Sequence, residues 1–214
     1  MIKSDQNLFV AMNEIPQTRA SLLISLCQRS EDAWAEFLAI YEQAIIRFCL
    51  SKGLQEADCR DVFQEVLTAV LNKVPSWDHR EEKGRFRGWL FTIARNIAVN
   101  EIDRKAKKVV ASGQSTMAKM LAEIPDEQIS DEASFEIEYR RALVDWASQQ
   151  VKSEVKDVTW QSFHKTAIIG ESSEDVAMQL GISVGSVYTA KCRVVSRIRK
   201  KITEVGDEPG SEFK

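Results

Sequence analysis

Proline and glycine are scarce in this chain, at 4 and 9 of 214 residues. With 44% hydrophobic residues and no long low-complexity tract, that scarcity excludes collagen-like, propeller-like and wholly disordered readings. Long apolar runs are missing too. The longest stretch free of Asp, Glu, Lys and Arg covers 15 residues, Val176 to Ala190. A membrane helix needs ~20 apolar residues, so no membrane insertion is expected. The opening segment MIKSDQNLFVAMNEIPQ lacks an apolar region followed by a small-residue cleavage site, and no secretory signal is expected. Cys27, Cys49, Cys59 and Cys192 contain no pair two or three residues apart, which leaves zinc-ribbon and CxxC redox chemistry unsupported. They read as small buried thiols on helices, in the reducing cytoplasm. Histidine is reduced to His79 and His164, and no GxSxG, HExxH or P-loop spacing occurs. The chain is therefore read as a non-enzyme with no cofactor and no metal. Asp61 and Glu65 stand at i and i+4, but no His joins them, so they read as a partner-facing acidic face.

Net charge is only −3, yet it is segregated. Residues 80–108 hold nine basic and four acidic groups, a net of +5. Residues 183–202 hold six basic groups and no acid, and residues 120–138 hold seven acids and no base. Segregation creates local fields that the total hides, and two basic blocks give a polyanion two places to sit.

The periodicity is helical throughout, and no strand pattern emerges. Residues 20–52 read as helix, with Ser30-Glu31-Asp32 as a start signal and Lys52-Gly53 as a stop. A second helix is expected over 57–73. The segment 75–85 is a polar loop carrying Trp77. A third helix is expected from Arg87 to Lys107, with Trp89, Leu90, Ile93, Ile97 and Ile102 as its apolar set. Helical patterns return at 134, over 155–170, 173–180 and 184–203. The expected fold is all-α: a three- to four-helix domain at 20–105, a flexible linker at 106–133, and a second small helical domain at 134–203. An N-terminal extension (1–19) and a disordered tail (204–214) flank them.

The most specific local signal is SEDVAMQLGISVGSVYTAKCRVV, residues 173–195. A helix-turn-helix needs a small residue where its helices face each other, and Ala177 supplies one. It needs a turn glycine that takes positive φ, and Gly181 supplies that. Val176, Leu180, Ile182, Val187 and Ala190 are the expected anchors, and Ser183 the expected cap. Ser186, Tyr188, Thr189, Lys191, Cys192 and Arg193 are then left on the free face of a helix suited to a major groove. A plain helical hairpin with a glycine corner is the competing reading. Further upstream, FRGWLFTIARNIAVNEIDR (86–104) interleaves aromatic and basic residues. Such surfaces bind single strands, with arginines on phosphates and rings stacked on unpaired bases. For Trp89 and Phe91 core packing competes with that role.

Three motifs in order, DVFQEVLTAVL (61–71), FRGWLFTIARNIAVNEIDR and the helix-turn-helix with GISVGSV (181–187), resemble a bacterial RNA polymerase sigma factor. The short two-domain layout resembles the extracytoplasmic-function (ECF) group. The stretch WQSFHKTAIIGESSEDVAMQLGISVGSVYTAKCRVVSRIR resembles variants of that group common in planctomycetes. The resemblance implies promoter-specific initiation by core RNA polymerase on promoter DNA, with an anti-sigma factor as a further partner it admits. It implies polymerase docking through Asp61, Gln64 and Glu65. Reading and melting of the minus-ten element would fall to Trp77, Arg85, Phe86, Arg87, Trp89, Thr92, Arg95 and Asn96. Reading of the minus-thirty-five element would fall to Ser186, Tyr188, Thr189, Lys191, Arg193 and Arg197. Tyr188 and Thr92 depart from the family in standing where many members carry a basic residue. Two other readings remain open: a helix-turn-helix regulator that acts without polymerase, and a sigma-like protein that sequesters polymerase.

Overall fold

The computed structural model describes residues 20–74, 86–111 and 130–205. Those residues form eight helices and no strand: α1 (Ala20–Cys27), α2 (Glu31–Ser51), α3 (Glu56–Lys73), α4 (Phe86–Ala111), α5 (Asp131–Glu154), α6 (Asp157–Phe163), α7 (Ser173–Leu180) and α8 (Val184–Val205). Among the described residues no helix is long and apolar enough to cross a membrane. Trp77, Arg85, His79, the N-terminal extension, residues 112–129 of the expected linker and the tail from 206 lie outside the described residues.

Packing divides the chain after Ala142. In the first unit, Ala20–Ala142, the helix expected over 20–52 is interrupted. Arg29 takes a left-handed φ of 58°, and α2 restarts at Ser30, whose Oγ accepts from the Ala33 amide. Glu31 and Asp32 complement the helix dipole there. The other end of α2 closes through Gly53 (φ 84°): the Leu54 amide donates to the Cys49 carbonyl and the Gly53 amide to that of Leu50. Only glycine takes that conformation cheaply, and Leu54 is buried beneath the turn. The core gathers Phe37, Tyr41, Ile45 and Phe48 of α2, and Val62, Val66 and Val70 of α3.

The inward stripe of α4 differs from the expected set. Phe86, Leu90, Ala94 and Ala98 are buried at four-residue steps, whereas Ile102 is 37% exposed. Alanines at the contact let helices approach closely, so the bulkier isoleucines fall to the flanks. Helix α4 also runs on to Ala111, and α5 begins at Asp131, inside the expected linker. Residues 134–142, read from sequence as part of the second domain, pack with the first unit.

The second unit holds residues 143–205. Leu143, Ala147 and Val151 of α5, Phe163 of α6 and Val194, Ile198 and Ile202 of α8 form its core. The helix expected over 155–170 changes register: α6 continues as a π-helical segment, His164–Ile169, that ends at Gly170 in the left-handed region. Of the four thiols, Cys49 and Cys59 are buried, Cys27 is half-buried and Cys192 is exposed on α8. Burial of all four thiols therefore holds fully only for Cys49 and Cys59; Cys192 lies on the outward face of α8, where the helix-turn-helix reading places it. Burial, and then the neighbouring Cys59, push the Cys49 thiol up to about 12, so it is a packing group and not a nucleophile.

Candidate nucleic-acid interface

In the second unit, Ser172 caps α7, its Oγ accepting from the Asp175 amide. Gly181 ends α7 at φ 63°. Its amide and that of Ile182 donate to the Met178 and Ala177 carbonyls. Ala177 is buried where α7 meets α8, and Val176, Ala177 and Val187 form a small core flanked by Leu180, Ile182 and Val184. The Ser183 Oγ then accepts from the Ser186 amide, 3.1 Å away, and starts α8. Two helices joined by a left-handed glycine and fixed by a common core form a rigid corner.

That corner sorts the faces of α8. Val187, Ala190, Val194, Ile198, Ile202 and Val205 point inward. Ser186, Tyr188, Thr189, Cys192 and Arg193 are exposed, and Lys191 is half-buried. Ser186, Thr189 and Arg193 also line a groove of ≈ 540 Å³ against Val158 and Thr159 of α6. Arg197 is exposed but committed elsewhere: its guanidinium donates to the Glu154 carbonyl at the end of α5, 3.5 Å away. Lys201 pairs with the Glu154 carboxylate at 2.8 Å. These two cations complement the carboxyl end of α5.

In the first unit, Asp61, Gln64 and Glu65 are exposed along α3. Gln64 and Glu65 line a shallow groove of ≈ 420 Å³ with Ile97 of α4. The last turns of α4 are basic and face the acids of α3. Lys105 pairs with Asp58 and holds that carboxyl below its usual range. Arg104 is raised above its ordinary value by Glu101, and more weakly by Glu65 and Asp61.

The residues expected to hold a melted strand divide into two groups. Thr92, Arg95 and Asn96 are exposed on α4, and Trp89 is half-buried. Phe86 is a correction to the sequence reading: it is 2% exposed, its ring edge-on to Phe37 and Tyr41 at 6.3 and 6.0 Å. A ring so enclosed has no face to offer a base; it anchors α4 to α2. Arg87 is half-buried, its guanidinium 4.8 Å from the centre of the Tyr139 ring and 3.7 Å from the Glu136 carboxylate. Arg95 donates to Asp131 at 2.7 Å, and Lys52 pairs with the same carboxylate at 2.5 Å. Phe91 packs on Phe135 and Phe48. The first half of α5 therefore lies along α2 and α4 over their cations and rings. Sequence reasoning missed Lys52, Asp131, Phe135, Glu136 and Tyr139 as members of this face. The four-residue step from Phe135 to Tyr139, at the end of the acidic block, was the available signal.

Residues 37–108 match the Sigma-70 region 2 family. Over 176 residues the chain is 27% identical to the ECF RNA polymerase sigma factor SigL of Mycobacterium tuberculosis. The match spans 78% of this chain and 89% of SigL, and is the same for the Erdman, CDC 1551 and H37Rv strains.

Proposed function

We propose that the chain is an ECF-type sigma factor that binds core RNA polymerase and directs it to promoters. The observation that carries this is a combination on one chain. A segment that matches Sigma-70 region 2 precedes a helix-turn-helix whose reader face, Ser186, Tyr188, Thr189, Lys191 and Arg193, is largely open to solvent. In this reading Asp61, Gln64 and Glu65 dock α3 on polymerase. The face of α8 reads the minus-thirty-five element in a major groove, and the basic residues beyond it follow phosphates. Trp89, Thr92, Arg95 and Asn96, with Trp77 and Arg85, hold the opened minus-ten strand. Arg87 joins them only after leaving Glu136, and Arg197 only after leaving Glu154. The planctomycete-type assignment within the group rests on residues 160–199.

The physics needs no hydrolysis. Opening a duplex costs on average about 1.4 kcal/mol per stacked step. An aromatic platform returns ~1–3 kcal/mol per captured base. A protein that only captures unstacked bases therefore shifts the equilibrium toward the open state.

Run-off transcription with core polymerase on a promoter library tests the proposal. The expected result is initiation at defined positions that depends on the chain and weakens when Asp61 and Glu65 are both reversed to Lys. Specific duplex binding by the chain alone, with no effect on polymerase, would identify a regulator that acts without it. Polymerase binding with no initiation would identify a sequestering protein.

A further inference from the structure

We infer that the first half of α5, residues 131–142, is a built-in competitor for single-stranded nucleic acid, an acidic and aromatic strap that occupies the α2–α4 face until a strand displaces it. The inference rests on the reading above, that this face holds an opened DNA strand.

A single strand offers such a face two things: anions for its cations and flat rings for its rings. The strap offers both. Asp131 bridges Lys52 and Arg95, and Glu136 approaches Arg87. Phe135 lies against Phe91, with ring centres 5.4 Å apart, and against Phe48 at 5.7 Å. Tyr139 stacks on Tyr41 at 5.3 Å and carries the Arg87 guanidinium over its ring. Lys52 at the carboxyl end of α2, Arg87 and Arg95 of α4 and their neighbouring aromatics are thus engaged by one segment of the same chain, whose Glu136 also pairs with its own Arg140 at 3.5 Å. Lys52 and Arg95 hold the Asp131 carboxyl below its usual range, so the clamp stays ionised at neutral pH.

The seat has a weak part and a strong part: its ion pairs are partly hydrated, whereas the Phe135 and Tyr139 rings are buried, at 2% and 1% exposed, so a displacing strand must cover the apolar surface they leave. Asp131 and Glu136 keep part of their surface in water, and ion pairs of that kind are individually weak. Covalent attachment compensates, since an intramolecular competitor acts at an effective concentration on the order of millimolar. An incoming strand must therefore be presented at comparable local concentration, as it is when polymerase already holds the adjoining duplex.

The test uses the full-length chain and a short fluorescein-labelled oligo(dT) at low salt, read by anisotropy. The D131N/E136Q double variant removes the competing charges and keeps the strap's shape. Its affinity is expected to rise about tenfold over the wild type, two weak pairs having been removed. Arg95→Gln in that background is expected to take the gain away. In the wild-type chain, saturating oligo(dT) is expected to speed amide exchange across 131–142 and slow it on α4. If D131N/E136Q binds no better while Arg95→Gln still weakens binding, the strap inference fails and the DNA face stands. If Arg95→Gln has no effect either, both fail. Exchange across 131–142 that ignores bound oligo(dT) also overturns the strap.

Discussion

Truncating Phe86 separates the two roles its aromatic-basic surroundings suggest. The ring is 2% exposed and touches Phe37, Tyr41 and Trp89. Moving a fully buried phenyl group to water costs about 2 kcal/mol. The hole left behind adds about 1 to 2 kcal/mol, since the surrounding helices close only in part. Two edge-on ring pairs contribute about 0.5 kcal/mol each at the low end of their range. Phe86→Ala is therefore expected to cost the first unit about 4 kcal/mol, and Phe86→Leu, which keeps most of the volume, under about 1.5 kcal/mol. The slowest-exchanging amides of α2 give the free energy of that unit alone, free of the second unit's unfolding. Phe86→Leu is expected to support normal open-complex formation. A loss below about 1 kcal/mol for Phe86→Ala, combined with defective strand opening in a stable Phe86→Leu protein, would refute the core assignment and return the ring to the DNA surface.

Gly181→Ala and Gly185→Ala are expected to differ in sign. Nothing lies within 4 Å of a Cβ added at Gly181, so its cost is the left-handed backbone alone, about 1–2 kcal/mol. Gly185 sits in the first turn of α8 with only the Ser183 Oγ at 3.9 Å, so alanine there is expected to stabilise by up to about 1 kcal/mol. Amide exchange on α7 and α8 reads both. Arg193→Ala is expected to cost about 1–3 kcal/mol at one upstream base position if it reads a base edge. A quantitative binding-site selection with polymerase detects this, and a uniform loss on all sequences would make it a phosphate contact. Acid is expected to loosen both Asp58 and Asp131. Their folded values lie below the ordinary 3.8, so each adds stability above that pH and loses it as the pH falls through the lowered value. Exchange across 131–142 measured below about pH 4 is expected to accelerate before the α2 core opens.

Local chemistry explains which parts of the fold were legible in the sequence. Ser30, Gly53, Gly181 and Ser183 each close or open a helix through a bond made within a few residues, so residue type alone located them. The helix-turn-helix anchors were legible for the same reason. The break at Arg29 was marked only by the start signal that follows it at Ser30, because a left-handed arginine itself carries no sequence mark. Phe86 was misread because an aromatic beside arginines looks alike in a core and on a strand-binding surface. Only the partners across α2 decide between them. The acidic block up to residue 133 was read as linker, and the rest as part of the second domain, since its charges have no partners in sequence. Lys52 and Arg95 lie 79 and 36 residues before Asp131, distances over which no periodicity operates.

Those long-range pairs alter the meaning of the charge map. The +5 block at 80–108 and the acids of 120–138 are not independent patches, for Asp131 and Glu136 draw on Arg95 and Arg87 within one folded unit. By contrast, Lys191 and Arg193 enter no ion pair among the described residues, and the acid-free stretch around them meets no comparable strap within its own unit. A polyanion approaching the chain thus finds Lys191 and Arg193 outside any ion pair among the described residues, and Lys52, Arg87 and Arg95 already sharing two carboxylates. In the proposed reading, duplex capture by Ser186, Thr189, Lys191 and Arg193 disturbs no ion pair, Arg197 must first leave Glu154, and strand capture through Arg87 and Arg95 requires the strap to leave. On that reading the charges of the chain itself make the upstream duplex the less obstructed of the two partners.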